Sequence, residues 1–141
     1  IRIVGGDYNA HGGSDEESAG ICGRFGLRSS NEKGRELVQW CEEQNMCYVN
    51  SFYQHKKRGT WFNRMNGNWY ELDGCLMDKE QRHRYVRKIN TVGESSISDH
   101  KPKKMIIEIR KWHHLSVKFD TSNKVAIVIC NGDLWHLLFS R

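Results

Sequence analysis

Asp7 and Asp99 are hard oxygen donors of the kind that hold Mg²⁺ or Mn²⁺, and each follows an apolar or small-residue segment that ends in a turn. His100 stands directly after Asp99. Its imidazole titrates near neutrality and suits a base, and Asp73 can orient the second ring nitrogen if the strands bring the two together. Adjacent Asp99 and His100 can divide the work only where their loop turns the two side chains toward different partners. Asn9 offers an amide to a scissile phosphate, while Asp7 can orient a water or polarise the shell of a metal. These are the separate tasks of a metal-organised phosphoester hydrolysis. Two aspartates so far apart make a site only if the fold brings their loops together.

The elements that would do so follow from hydrophobic spacing and turn signals. Residues 1–4 read as a strand running into a turn at Gly5 and Gly6, which leaves Asp7 and Asn9 at a strand end. Residues 12–30, rich in Gly, Ser and charge, read as a long loop. Ser29 with Glu32 matches a capping box and predicts a helix over 32–44, with Leu37, Trp40 and Cys41 turned inward. Residues 47–50 then form a strand, and strand, loop, helix, strand is the grammar of an α/β unit. Segments 60–62 and 69–72 flank Asn66-Gly67, a two-residue hairpin signal, and Asp73 falls in the returning strand, before Cys75, Leu76 and Met77.

Further on, residues 78–84 predict a short polar helix, 85–92 an irregular strand, and 93–98 a small-residue loop that delivers Asp99 and His100. Residues 105–109 are a strand. The tail holds three more, 115–119, 125–130 and 134–139, the last two paired across Asn131-Gly132 with at least one face buried. Residues 125–130 are apolar on both faces, so this strand belongs inside something: it covers a sheet edge, or it docks a second copy or another protein.

Composition bounds the function classes. At 141 residues the chain fits one domain, and 22 Lys and Arg against 17 Asp and Glu give a net charge of +5. A pI near 9.0 favours phosphate-rich partners. Basic residues gather at 55–58, 79–88 and 101–104. Mean hydropathy is −0.73, and the longest apolar run, 125–130, is far short of the roughly 20 residues that cross a bilayer, so no membrane partner is expected. The five cysteines are odd in number and lack zinc spacing, which fits a reduced, intracellular protein in which they serve as small buried hydrophobes. No phosphate-cradling GxGxxG loop is present. A chain that opens on Ile1 rather than Met reads as a piece of something longer.

Gly6-Asp7-Tyr8-Asn9-Ala10 resembles the GDFNA segment of the endonuclease/exonuclease/phosphatase family. Thr60-Trp61 resembles its substrate-side TW segment, Glu71-Leu72-Asp73 its (Q)ID strand, and Ser98-Asp99-His100 its terminal SDH motif. The order and spacing agree. The text between the motifs, notably 31–37 and 50–55, is similar to the endonuclease domains of RTE-type LINE retrotransposons. The resemblance covers residues 1–110 and leaves 111–141 as a divergent β-hairpin tail.

The resemblance implies a partial two-layer α/β sandwich, the C-terminal half of the family fold, with a β-rich tail. It implies a divalent-metal-dependent endonuclease that hydrolyses DNA phosphodiesters, with Asp7, Asn9, Asp73 and His100 catalytic and Asp99 and Asp7 holding Mg²⁺ or Mn²⁺. Thr60, Trp61, Lys56, Lys57 and Arg58 would face nucleic acid. The family's first strands, early asparagine and metal-binding glutamate would lie upstream of Ile1 and complete the metal site. A nuclear location follows from a DNA substrate. The alternative is a catalytically silent module derived from a nuclease, in which a homo-oligomer or another protein covers an incomplete sheet. Gly74 stands where the most similar retrotransposon sequences usually carry a Tyr after the Asp.

Overall fold

Successive side chains of a strand point to opposite faces, and here that alternation divides the interior into two cores. The computed structural model describes residues 1–14, 18, 20–26, 30–93 and 98–108, together with the backbone of strands within 116–140. In chain order the elements are β1 (Arg2–Asp7), α1 (Glu32–Glu43), β2 (Met46–Tyr48), a 3₁₀ turn (Val49–Phe52), β3 (Trp61–Asn63), β4 (Asn68–Tyr70) and β5 (Asp73–Asp78). They continue as α2 (Arg82–Tyr85), β6 (Val86–Thr91), β7 (Lys103–Glu108), β8 (Ser116–Phe119), β9 (Val125–Asn131) and β10 (Leu134–Ser140). The class is mixed α/β.

Two four-stranded sheets, ordered β2-β5-β1-β8 and β6-β7-β10-β9, stand beside the β3-β4 ribbon. All pairings are antiparallel except that of β1 with β8. Ile3, Cys47, Cys75 and Met77 of the first sheet share a core with Val86, Ile89, Met105 and Ile107 of the second. Their alternates Val4, Met46, Tyr48 and Leu76 turn to the other face and meet Val38 and Cys41 of α1. No helix among the described residues is long and apolar enough to cross a membrane.

Several expectations are corrected in detail. β1 runs straight through Gly5 and Gly6, where a turn was expected, because its ladder with β5 continues through Gly5↔Cys75 and Gly6↔Gly74 to Asp7↔Asp73. α1 begins and ends close to where its spacing predicts, but its N-cap is Asn31, whose side chain accepts from the Gly34 N–H at 2.8 Å. Ser29 lies outside the described residues. Gly34, Val38 and Cys41 form the inward stripe, Leu37 flanks it, and Trp40, expected inside, is 42% exposed on the opposite side of the helix. β2 stops at Tyr48, where the chain turns so that Asn50 points into the interior.

The first hairpin also differs. Asn63 pairs with Asn68, which leaves a four-residue loop in which Gly67 takes the left-handed conformation (φ 69°) and its N–H donates to the Asn63 carbonyl. In the tail, Asn131 pairs with Leu134, so the turn between β9 and β10 shifts one residue beyond the predicted Asn131-Gly132 and lies outside the described residues. The expected burial of those strands concerns side chains that also lie outside them. What the backbone adds is that the tail extends both sheets, β8 beside β1 and β10 beside β7. Cys22, Cys41, Cys47 and Cys75 are buried thiols, as their scatter implied. Burial pushes the Cys41 thiol up to about 12 and that of Cys47 to about 11, which leaves both unreactive.

Candidate active site

The site lies where the β1–β5 ladder ends. Asp7, last in β1, is the register partner of Asp73, first in β5, so the two carboxylates leave the same face of the sheet side by side. The ladder goes one bond further, Tyr8 N–H to the Leu72 carbonyl at 2.9 Å, and then β1 turns. Asn9 makes that turn in the left-handed region (φ 51°), and its N–H donates to Asp7 Oδ1 at 3.0 Å, an Asx turn of the sort Asp and Asn favour. Facing like charges are destabilising on a sheet, so this pair calls for a positive group between or beside it.

His100 is that group among the described residues. Its Nδ1 lies 2.7 Å from Asp73 Oδ2, and the ring is 2% exposed. A carboxylate that only accepts requires the Nδ1–H tautomer, which leaves Nε2 to act elsewhere. Burial alone would lower the His100 pKa, but the Asp73 hydrogen bond and charge, followed by the charges of Asp7 and Asp99, raise it above its ordinary value. Ligand atoms of Asp7, Asp73 and His100 all fall within 4.8 Å of one another. Asp73 Oδ1 is buried and has no hydrogen-bond partner among the described residues.

Local structure explains why these side chains meet. The Thr60 hydroxyl accepts from the Leu72 and Asp73 N–H groups at 3.0 and 3.1 Å, tying the start of β3 to the start of β5. The Lys101 N–H donates to the Thr60 carbonyl, and Trp61 bridges His100 as an isolated antiparallel pair. Ser98 Oγ accepts from the His100 N–H at 3.0 Å, so the loop closes on itself just before the imidazole. Asp99 turns away from Asp73, as the division of labour requires, and accepts from Trp61 Nε1 at 3.2 Å. A groove of about 760 Å³ opens here, lined among others by Trp61, Phe62, Trp69, Asp99, His100 and Lys101. Lys101 Nζ stands 4.0 Å from the centre of the Trp69 ring.

The structure thus brings Asp7, Asp73, His100, Asp99 and Trp61 together, with exposed Asn9 at the rim. Lys56 and Lys57 are exposed. Two residues expected to face nucleic acid are drawn inward instead: Thr60 is fully buried, and the Arg58 guanidinium donates to Glu71 Oε2 at 3.0 Å and to the Tyr53 and Asn50 carbonyls. Sequence reasoning missed Glu71, Lys103 and Asn50, which form the buried polar group behind the site. A signal was available. Glu71 shares the alternation phase of Asp73, Cys75 and Met77, and Lys103 that of Met105 and Ile107, so both charges fall on inward positions.

No protein-family model matches the chain, and no solved structure matches it significantly. Curated proteins do. The chain is 34% identical over 79 residues to craniofacial development protein 2 of Bos taurus and, equally, to that of Tragulus javanicus. The match takes in 56% of this chain and 12% of the length of those relatives.

Proposed function

We propose that the chain carries the dyad-bearing half of an endonuclease/exonuclease/phosphatase-type domain, its two sheets being the two layers of that sandwich, and that the domain hydrolyses DNA phosphodiester bonds with a divalent cation. One observation carries the reading: a buried Asp73–His100 pair at 2.7 Å, with Asp7 facing Asp73 across the ladder and Asp99 in the adjoining position. Three separate stretches of sequence converge on one sheet end, and a surface charge cluster would not need a buried, oriented imidazole. The order of the resembling motifs and the similarity to craniofacial development protein 2 support it.

In this reading Asp73 fixes the tautomer and orientation of His100, whose Nε2 exchanges a proton with the reacting oxygen. Against the effect of burial, the Asp73 hydrogen bond and charge favour the protonated ring and hold its pKa above the ordinary value. Asp7 orients the attacking water, the Asn9 amide steadies a phosphoryl oxygen from the rim, and Trp61 holds Asp99 in place through its indole N–H. The donor set fits a cation. Two facing carboxylates, one of them with an unpartnered buried oxygen, and an imidazole suit Mn²⁺ or Mg²⁺, with Asp7 and Asp99 the carboxylates outside the dyad. Bound there, such an ion supplies charge neutralisation at the phosphoryl group.

DNA is favoured over a small phosphoester because exposed Lys56 and Lys57, Lys101 over Trp69 and the open groove suit a polyanion that extends past the reacting phosphate. A nuclear location goes with that substrate. The test is plasmid nicking by the full-length protein in Mg²⁺ or Mn²⁺, with EDTA as the control. Asp73→Asn and His100→Ala should each slow nicking by about 100-fold or more. Supercoiled plasmid left intact in both metals would overturn the nuclease reading and leave the catalytically silent module standing.

A further inference from the structure

Behind the dyad lies a group of charges with no direct part in the chemistry. The Glu71 carboxylate is 4% exposed and its two oxygens are fully engaged: Oε1 accepts from Lys103 Nζ and from Asn50 Nδ2, Oε2 from Arg58 Nε and Nη2. Lys103 is wholly buried, and its Nζ also donates to the Arg58 carbonyl at 3.0 Å. Thr91 Oγ1 donates to that same carbonyl. Asn50 donates onward to the Asp73 carbonyl at 3.0 Å and accepts from the Cys75 N–H. Burial alone would raise the Glu71 carboxyl, but the adjacent Lys103 and Arg58 charges bring it below its ordinary value, so it is ionised.

Two features set this group apart from structural glue. Buried ion pairs give little net stability, since desolvation offsets attraction, and apolar residues of similar volume commonly serve as well or better. Each charge also sits on a segment that delivers part of the site: Arg58 just before Thr60 and Trp61, Glu71 just before Asp73, Lys103 just after Asp99 and His100. Burial lowers the Lys103 pKa, the Glu71 charge and hydrogen bond oppose that, and the Asp73 carboxylate adds a smaller pull in the same direction as Glu71. The group and the dyad are therefore linked by charge as well as by backbone.

We infer that Glu71, with Arg58 and Lys103, is a positioning device that sets the relative register of the three segments carrying Trp61, Asp73 and His100. The inference rests on reading the Asp73–His100 pair as the reactive centre, but its test does not need activity. In ¹⁵N-labelled chain without metal, two protons report the geometry: the Trp61 indole N–H, which donates to Asp99, and the His100 Nδ1–H, which donates to Asp73.

Glu71→Gln, which strands two buried cations, should lower the melting temperature and displace both signals. Glu71→Leu/Lys103→Met, which leaves Arg58 only the Tyr53 and Asn50 carbonyls, should recover much of the lost melting temperature while the indole signal stays displaced and the Nδ1–H signal stays exchange-broadened. If the full-length protein nicks DNA, the double variant should lose roughly tenfold or more in kcat with KM little changed, because misplacement of reacting groups acts on the chemical step. Both signals at their original positions in a stable double variant would overturn the inference. A double variant that does not fold would overturn it equally, since the charges would then hold the fold itself. Failure of the unaltered full-length protein to nick would count against the nuclease reading alone.

Discussion

Gly74 accounts for itself once Tyr48 is in view. A Cβ there would lie 2.2 Å from the Tyr48 ring, which enters from the neighbouring strand on the face that Gly74 shares with Leu76. An aromatic ring thus fills, from β2, space that a side chain at position 74 would need. Gly74→Ala should cost about 1–3 kcal/mol by overpacking, and little in a Tyr48→Leu background; denaturant unfolding of the four forms measures the coupling. His55 provides a second residue-level prediction. Burial first, then the Lys103 and Arg58 charges, push its imidazole down to about 4 from 6.5. The unfolded chain therefore binds the proton at higher pH than the folded one. The stability held by the neutral ring is complete above about pH 6.5 and drains away as pH falls toward 4. Melting temperatures across that range should fall less steeply in His55→Gln than in the parent chain. Asp7, Asp73 and His100 were legible in sequence because each belongs to a short motif at a strand end. Glu71 and Lys103 were passed over, although the alternation of their strands carried a signal, because a charge within a polar stretch reads first as solvated.

Elements were legible where spacing alone decides them. The span of α1 needed nothing from outside its own sequence and stands close to where it was expected, though its inward face does not include Trp40. Boundaries failed where a distant partner decides. Gly5 and Gly6 read locally as a turn, yet β5 pairs with both and carries the strand on to Asp7. Asn50 reads as the end of a strand, but the Cys75 N–H and the Asp73 carbonyl draw it out of register. The helix cap is a similar case: Asn31 wins because its Oδ1 accepts from His11 N–H at 3.1 Å as well as from Gly34, so it fastens the loop after β1 to the helix start. Asn31→Ala should therefore cost about 1–2 kcal/mol, the upper part of the range for a cap, while Asn31→Asp keeps most of it. Urea midpoints of the three proteins would check this.

For the molecule as a whole, the tail supplies one strand to the first sheet, β8 beside β1, and two to the second, β10 beside β7 and β9 beyond it. The motifs gave no sign of this, since the resemblance ends before the tail and strand pairing over such a separation leaves no local trace. Deleting residues 112–141 should strip one edge from both sheets, lower the melting temperature and drive self-association by strand edges left open. Size-exclusion chromatography and a melting curve of the shortened chain report both effects, and an unchanged profile would mean that the tail's strands stabilise nothing. The position of β1 has a consequence for how the molecule is made. It pairs through Ile3 with Met77 and through Arg2 with Ser116, so both its neighbours are translated long after it. During synthesis Asp7 must wait on the ribosome, unsheltered, for Asp73 and then for His100 to emerge, and contacts of such high order form slowly. The candidate centre therefore cannot assemble before His100 has left the ribosome, long after β1 has.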